Sequence, residues 1–321
     1  MIIRTAYIIF INIININDTK DEGTVTMNIW AAAITAALVG AAVGYLQTFV
    51  FAKIPESWLQ DYGVKETDPD FRLSKRMDLI PHGVLSAVFC ACVYAFFVIF
   101  SYNEFVYPPK LFHIFAILFA TPVIVIVMMS DRLNRIIPDE CSIALAAIGI
   151  FLLIGDFFES DLWFTDNAAW YIPLLNRVLG ALVGGGLLFL INLICLTFLG
   201  KDGMGQGDMK LLAACGLITG CYGLIVVLYV GVLSAFFFAL PMTVRKYARK
   251  AAEKKEIEQA ENKSAKRAEI AKRHAQIHFA EDPDYISFGP FLALGTAVYM
   301  ALEPVFASKM LGYLALFDLA F

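Results

Sequence analysis

"LFATPVIVIVMMSD", residues 118–131, closes an apolar run that begins near residue 110 and ends on a carboxylate. As a helix, about 20 such residues cross a ~30 Å hydrocarbon core. Further runs of this kind recur along the chain, because the charged residues are clumped between them. Of the 321 residues, 59% are hydrophobic and only 17% charged, and the mean hydropathy of +0.69 is far from that of a soluble domain. The alternation of a transmembrane barrel is absent, and a barrel needs no runs this long. The pattern predicts an all-α, polytopic membrane protein of about eight transmembrane helices. They lie near 29–52, 80–100, 110–130, 141–157, 173–199, 209–220, 224–244 and 288–304. The sixth is short and either starts inside a glycine loop or runs tightly into the seventh through "TGCYG", residues 219–223.

Residues 1–27 read as an N-terminal extension. "YIIFINIININ" is short, no small-residue cleavage site follows it, and Met27 stands directly before the first span. Residues 28–321 then form one membrane domain with two cytoplasmic loops, a short one at 53–79 and a long charged one at 245–287. The net charge of −4 decides little, since placement of Lys and Arg sets orientation. Basic residues concentrate in 53–79, at Arg132 and Arg135, at Lys201 and Lys210, and in 245–287, which holds 11 of the 25. Eight spans put all four segments on one side, the cytoplasmic one. The loop 158–171, with Glu159, Asp161 and Asp166 and no Lys or Arg, then faces outward. The Ala-, Lys- and Glu-rich stretch 245–284 reads as a solvated helix, with contact to anionic lipid or a partner protein as the functional alternative.

Ionisable groups near a span are costly and need a reason. Asp131 ends one span and Asp208 starts another, in "GMGQGDMK", residues 203–210. Both sit at cytoplasmic ends, so they share a depth. Two carboxyls brought within a few ångströms cannot both ionise and share one proton. The ionised partner takes a proton from water, and the protonated one donates to a scissile carbonyl. Gly203, Gly205 and Gly207 let the backbone approach a substrate strand. Asp208 as a helix N-cap is the plainer alternative, and Asp139, Glu140 and Asp202 compete for a catalytic role. The six cysteines form no CxxC pair and read as packing residues. His274 and His278 lack further ligands, so no metal and no cofactor is expected. Gly180, Gly184, Gly185 and Gly186 give the small-residue spacing of close helix packing. Lys210 reads as an interface lysine, with steadying of Asp208 or a lipid phosphate as further roles.

"SDRLNRIIPDECS" (130–142), "GMGQGDMKLLAACG" (203–216) and "ISFGPFLALG" (286–295) resemble, in order, three motifs of the type IV prepilin peptidases. These are GxGD-type intramembrane aspartic peptidases, and the resemblance covers about 110–304. It implies Asp131 and Asp208 as the catalytic pair, favouring Asp131 over Asp139, with Gly205, Gly207, Pro138, Gly289 and Pro290 as substrate-binding or motif-supporting positions. It also implies cleavage of the basic leader of prepilins or pseudopilins after a glycine, at the cytoplasmic face of the inner membrane. Partners implied are those substrates, membrane lipids and pilus or secretion assembly proteins, with no nucleic acid. Bifunctional members carry paired CxxC zinc motifs between the first two spans and N-methylate the product. Here 53–79 is short and has no cysteine, which argues against methylation. A presenilin-like GxGD protease would want Pro-Ala-Leu late in the chain, where only "FALPMT" (238–243) stands. A transporter would want more polar groups in mid-membrane than Asn192, and an inactive assembly factor would show no hydrolysis.

Overall fold

The apolar runs become helices, three of which continue through an internal proline, Pro122, Pro241 or Pro304. The structure, a computed structural model, describes residues 22–60, 67, 71–106, 109–159, 171–200, 203–275 and 286–316. Its α-helices among these are α1 (Glu22–Ala52), α2 (Val84–Ser101), α3 (Leu111–Asn134), α4 (Asp139–Gly155), α5 (Tyr171–Leu199), α6 (Gln206–Gln259), α7 (Lys263–Ala275) and α8 (Gly289–Leu316). No strand occurs among the described residues. Most of the extension 1–27, Asp161 and Asp166 of the acidic loop, Asp202 and His278 lie outside them.

The chain is a polytopic all-α membrane protein. Among the described residues six helical segments are long and apolar enough to cross a bilayer, against the eight spans expected: Ile29–Ala52, Leu79–Glu104, Leu111–Asn134, Tyr171–Leu199, Gln206–Gln259 and Gly289–Met310. The difference has two causes. At 17 residues α4 is short, and the predicted sixth and seventh spans are both contained in α6.

Those two spans are nevertheless distinct limbs. Gly220 has φ +68° and ψ 177°, a conformation that breaks the helix and favours glycine. The packing register shows where the chain goes. Cys215 lies against Thr296. Beyond the break Gly223 meets Tyr299, Gly295 meets Val227, and Gly231 meets Phe291. Contacts on α8 thus climb to residue 299 and then return to 291, so the second limb runs back antiparallel to the first. The first limb, 206–219, reaches about 20 Å into the bundle at 1.5 Å per residue.

A buried polar cluster holds the reversal. Asn176 Oδ1 accepts from the Cys221 amide at 2.9 Å. The Arg177 guanidinium donates to the carbonyl oxygens of Leu217 and Ile218, which the broken helix leaves without intrahelical partners. Its other nitrogens pair with Asp156, with Nη2 to Oδ1 at 2.8 Å. Both members of this pair are buried, and removing one partner of such a pair is costly because the other charge stays behind. A Cβ at residue 220 would run into the Asn176 amide. Gly220→Ala is therefore expected to cost about 1–3 kcal/mol through the left-handed backbone and the clash, read as a lowered thermal midpoint in detergent.

On either side of this hairpin the helices pack through small residues. Gly180 and Gly184 of α5 lie on the backbone of Gly216 and Leu212, as their spacing predicts, whereas Gly186 has open space around it. In the same way Gly40 and Gly44 of α1 meet the backbone of Cys90 and Ser86 in α2. The core is formed mainly by α2, α3, α4, α6 and α8, where Ile117, Ile124, Leu145, Leu211, Leu212 and Leu292 are fully enclosed.

Candidate active site

At one end of the bundle four connecting segments converge on a cavity of about 720 Å³. It is lined by residues from 56–71, 131–140, 205–210 and 287–288. Three of the four loops that the charge pattern assigns to one side contribute described residues directly, and the end of the fourth supplies Ser287 and Phe288.

Asp131 sits in the last turn of α3 and is 6% exposed. Arg135 ends that helix in the left-handed conformation (φ 61°), its amide donating to the Asp131 carbonyl at 3.0 Å. Ser130 Oγ donates to the Ile136 carbonyl at 2.7 Å and tightens the same turn. The chain therefore doubles back at once, and Pro138 stands as N-cap of α4. Asp208 lies in the first turn of α6. It is not the N-cap: Gly205 holds that position and has no side-chain cap. Asp131 and Asp208 line the same cavity and are close enough for their charges to act on each other. One oxygen of each, Oδ2 of Asp131 and Oδ1 of Asp208, is buried without a hydrogen-bond partner. Buried polar atoms are seldom left so.

Ile137 joins the three motif segments. A Cβ at Gly207 would stand 3.1 Å from the Ile137 Cβ, and a Cβ at Gly289 would stand 2.7 Å from its Cδ1 and 2.6 Å from Asp131 Oδ2. Glycine is needed at 289 to admit the carboxyl, and the Gly289 amide faces it. Pro290 follows in the first turn of α8, where its missing N–H costs nothing.

Of the competing acids, Asp139 is engaged elsewhere. Both its oxygens accept from Lys210 Nζ, at 2.9 and 2.7 Å, so Lys210 ties the start of α4 to the start of α6. This partner was not foreseen for Lys210. The pair is partly exposed, so a double-mutant cycle of Asp139→Asn and Lys210→Met should give a stability coupling of about 0.5–1 kcal/mol; a coupling of zero would remove the link. Glu140 lies on the cavity wall. Asn192, the conspicuous polar residue of α5, accepts the amides of Gly203 and Met204 at 2.8 and 3.2 Å and so anchors the glycine loop.

Sequence reasoning missed the wall built by Glu56, Ser57, Trp58, Gln60 and Phe71. Glu56 pairs with Arg76 at 2.6 Å and accepts from Gln60 at 2.8 Å. Burial would raise its pKa, but hydrogen bonds from Ser74 and Gln60, with the Arg76 charge, outweigh it and hold the carboxyl below its usual range. It therefore stabilises this loop above the ordinary carboxylate pKa, and the contribution is lost as pH falls through the lowered value. Asn134 fixes the loop to the end of α3: its Oδ1 accepts from the Lys75 amide at 2.7 Å and its Nδ2 donates to the Lys75 carbonyl at 3.1 Å. Trp58, Gln60 and Phe71 stand on the wall of the cavity that Asp131 also lines. Among the described residues no three His, Cys, Asp or Glu side chains group as a metal site. His113 and His274 each pair with a single glutamate, Glu159 and Glu253.

Residues 117–240 match the sequence profile of the type IV leader peptidase family, a segment that contains both Asp131 and Asp208. A prepilin leader peptidase/N-methyltransferase of Neisseria gonorrhoeae is 34% identical over 117 residues, 36% of each chain. The protein of that name from Xanthomonas campestris pv. campestris is 32% identical over 103 residues, 32% of this chain and 31% of its own. That of Aeromonas salmonicida is 32% identical over 126 residues, 39% and 38% of the two chains. The match thus spans about a third of the length of these relatives, 31–38%. No solved structure matches it. The likeness read from the two aspartate motifs is shown over the segment that carries them.

Proposed function

We propose that this protein is a membrane aspartic endopeptidase that removes the leader of prepilins or pseudopilins after a glycine. It acts at the cytoplasmic side of the inner membrane. One observation carries the reading: two carboxyls from different helices line one cavity, interact, and each leave a buried oxygen unpartnered. The names of the matching relatives support the substrate class. The four converging loops are the basic ones, which supports the side.

The chemistry follows from the pair. The ionised carboxyl takes a proton from water as the water oxygen bonds to the scissile carbonyl carbon. The protonated partner gives its proton to the carbonyl oxygen. The tetrahedral intermediate then loses a hydroxyl proton to a carboxylate, the C–N bond breaks, and the leaving nitrogen takes a proton from the pair. No covalent enzyme intermediate is needed. Gly205 and Gly207 line the cavity without a side chain, where an extended peptide can approach the backbone, Gly289 leaves room for the Asp131 carboxyl, and Pro138 and Pro290 stand at the starts of the two following helices.

The test is incubation of the purified protein in detergent with a purified prepilin, followed by mass analysis. The expected product has lost its leader at a glycine and carries no methyl increment, since 53–79 has no cysteine. An intact substrate would contradict the proposal.

A further inference from the structure

The turn that follows Asp131 brings a second charged side chain to the cavity. Its lining holds five carboxyls, Glu56, Asp131, Asp139, Glu140 and Asp208, against two cations, Arg135 and Lys210. Lys210 is held by both oxygens of Asp139, and Glu56 pairs with Arg76. Arg135 is the cation whose charge acts on Asp131. It is half-buried with its Nε enclosed, whereas Arg132, in the same turn, is exposed.

The backbone makes arginine a costly choice at this position. Arg135 has φ 61°, and among the described residues no other non-glycine residue has a positive φ. Glycine or asparagine is the usual occupant of this place after a helix, because a Cβ is disfavoured there. A side chain kept against the backbone preference marks a use for that side chain. The chemistry of the pair supplies one. One proton on two carboxyls leaves one negative charge, in a site where Asp131 is buried and each acid has an enclosed oxygen without a hydrogen bond. A buried charge is costly unless an opposite charge stands near it. Without one, the pair would take up a second proton, and neither carboxyl could accept a proton from water.

We infer that the Arg135 guanidinium keeps the Asp131–Asp208 pair singly ionised, acting through Asp131 rather than touching the substrate. This rests on the aspartic peptidase reading and makes Arg135 a positioning residue of that site.

The left-handed backbone helps the test. Arg135→Asn removes the charge and suits this conformation better than arginine does. Arg135→Lys keeps the charge and the backbone cost. A nearby opposite charge changes the ionised fraction of a carboxyl by about 10- to 1000-fold. With a prepilin substrate, kcat of R135N is therefore expected to fall about 10- to 100-fold, with KM within a fewfold and little change in thermal midpoint. R135K is expected to keep kcat within a fewfold of the natural protein. Equal kcat in the two variants would overturn the inference. So would a raised KM with kcat unchanged, which would place Arg135 on the substrate. A lowered midpoint with kcat kept would confine Arg135 to steadying the helix end, and overturns it too. If R135N loses midpoint and kcat together, Arg135→Gln, which shares the backbone cost, is compared with R135K at a temperature where both are folded. Loss of kcat in the glutamine variant alone supports the charge, and equal rates overturn it. Failure of the underlying reading looks different: cleavage would then survive Asp131→Asn or Asp208→Asn.

Discussion

Asp131→Asn and Asp208→Asn are each expected to reduce prepilin cleavage by at least about 10²–10⁴-fold, while the protein inserts and folds as before. Asparagine keeps the shape of the side chain and removes its capacity to exchange a proton. Each carboxyl serves twice in the cycle, once in attack and once in departure of the amine, so neither substitution leaves half of the activity. Stability should move the other way or not at all. In the native site the two acids line one cavity and act on each other's charge, each with a buried oxygen lacking a hydrogen bond. Neutralising one relieves charge repulsion. A thermal midpoint that holds or rises while cleavage vanishes is the signature of a residue kept for chemistry at the expense of stability. A fall in both would instead mark Asp131 or Asp208 as structural.

Gly289→Ala should have the next largest effect. Its added methyl would meet Asp131 Oδ2 at 2.6 Å and Ile137 Cδ1 at 2.7 Å, both far inside contact distance. The carboxyl and the Ile137 wedge must shift. A displacement of about 1 Å at a reacting group costs on the order of 10²-fold in rate. The loss should appear in kcat, because Asp131 is moved while the rest of the cavity wall stays. Gly207→Ala, with its nearest contact at 3.1 Å, should lose less, and Gly186→Ala, with nothing within 4 Å, should behave as the natural protein. A flat response across these three substitutions would mean that the three motif segments do not converge as described.

Much of this was legible in the sequence because its signals are local. The run ending at Asp131 and the glycines before Asp208 marked both acids and the edges of their helices. Charge clumping grouped the four loops that surround the cavity. What could not be read depends on contacts between distant residues. Gly220 looks like any glycine in a tight "TGCYG", and only the Asn176–Arg177–Asp156 cluster reveals why the helix reverses there. Asp139 and Lys210 are 71 residues apart, so their ion pair was invisible and Asp139 remained a rival acid. Asp208 at a helix start invited an N-cap reading, and the structure places the cap at Gly205. The boundary between the sixth and seventh spans was equally hard to read: α6 holds both limbs under one apolar run, and only the backbone at Gly220 separates them.

The most direct measurement is chemical bridging of residues 131 and 208. With the six native cysteines replaced, Asp131→Cys and Asp208→Cys are introduced together and treated in native membranes with a short bifunctional thiol reagent. The paired substitution Asp139→Cys with Lys210→Cys serves as the reference for two neighbouring positions. Cross-linking of both pairs, read by mass on the intact chain, is the predicted result. Bridging of 139 to 210 with none between 131 and 208 would contradict the account, because the two acids would then not share a cavity.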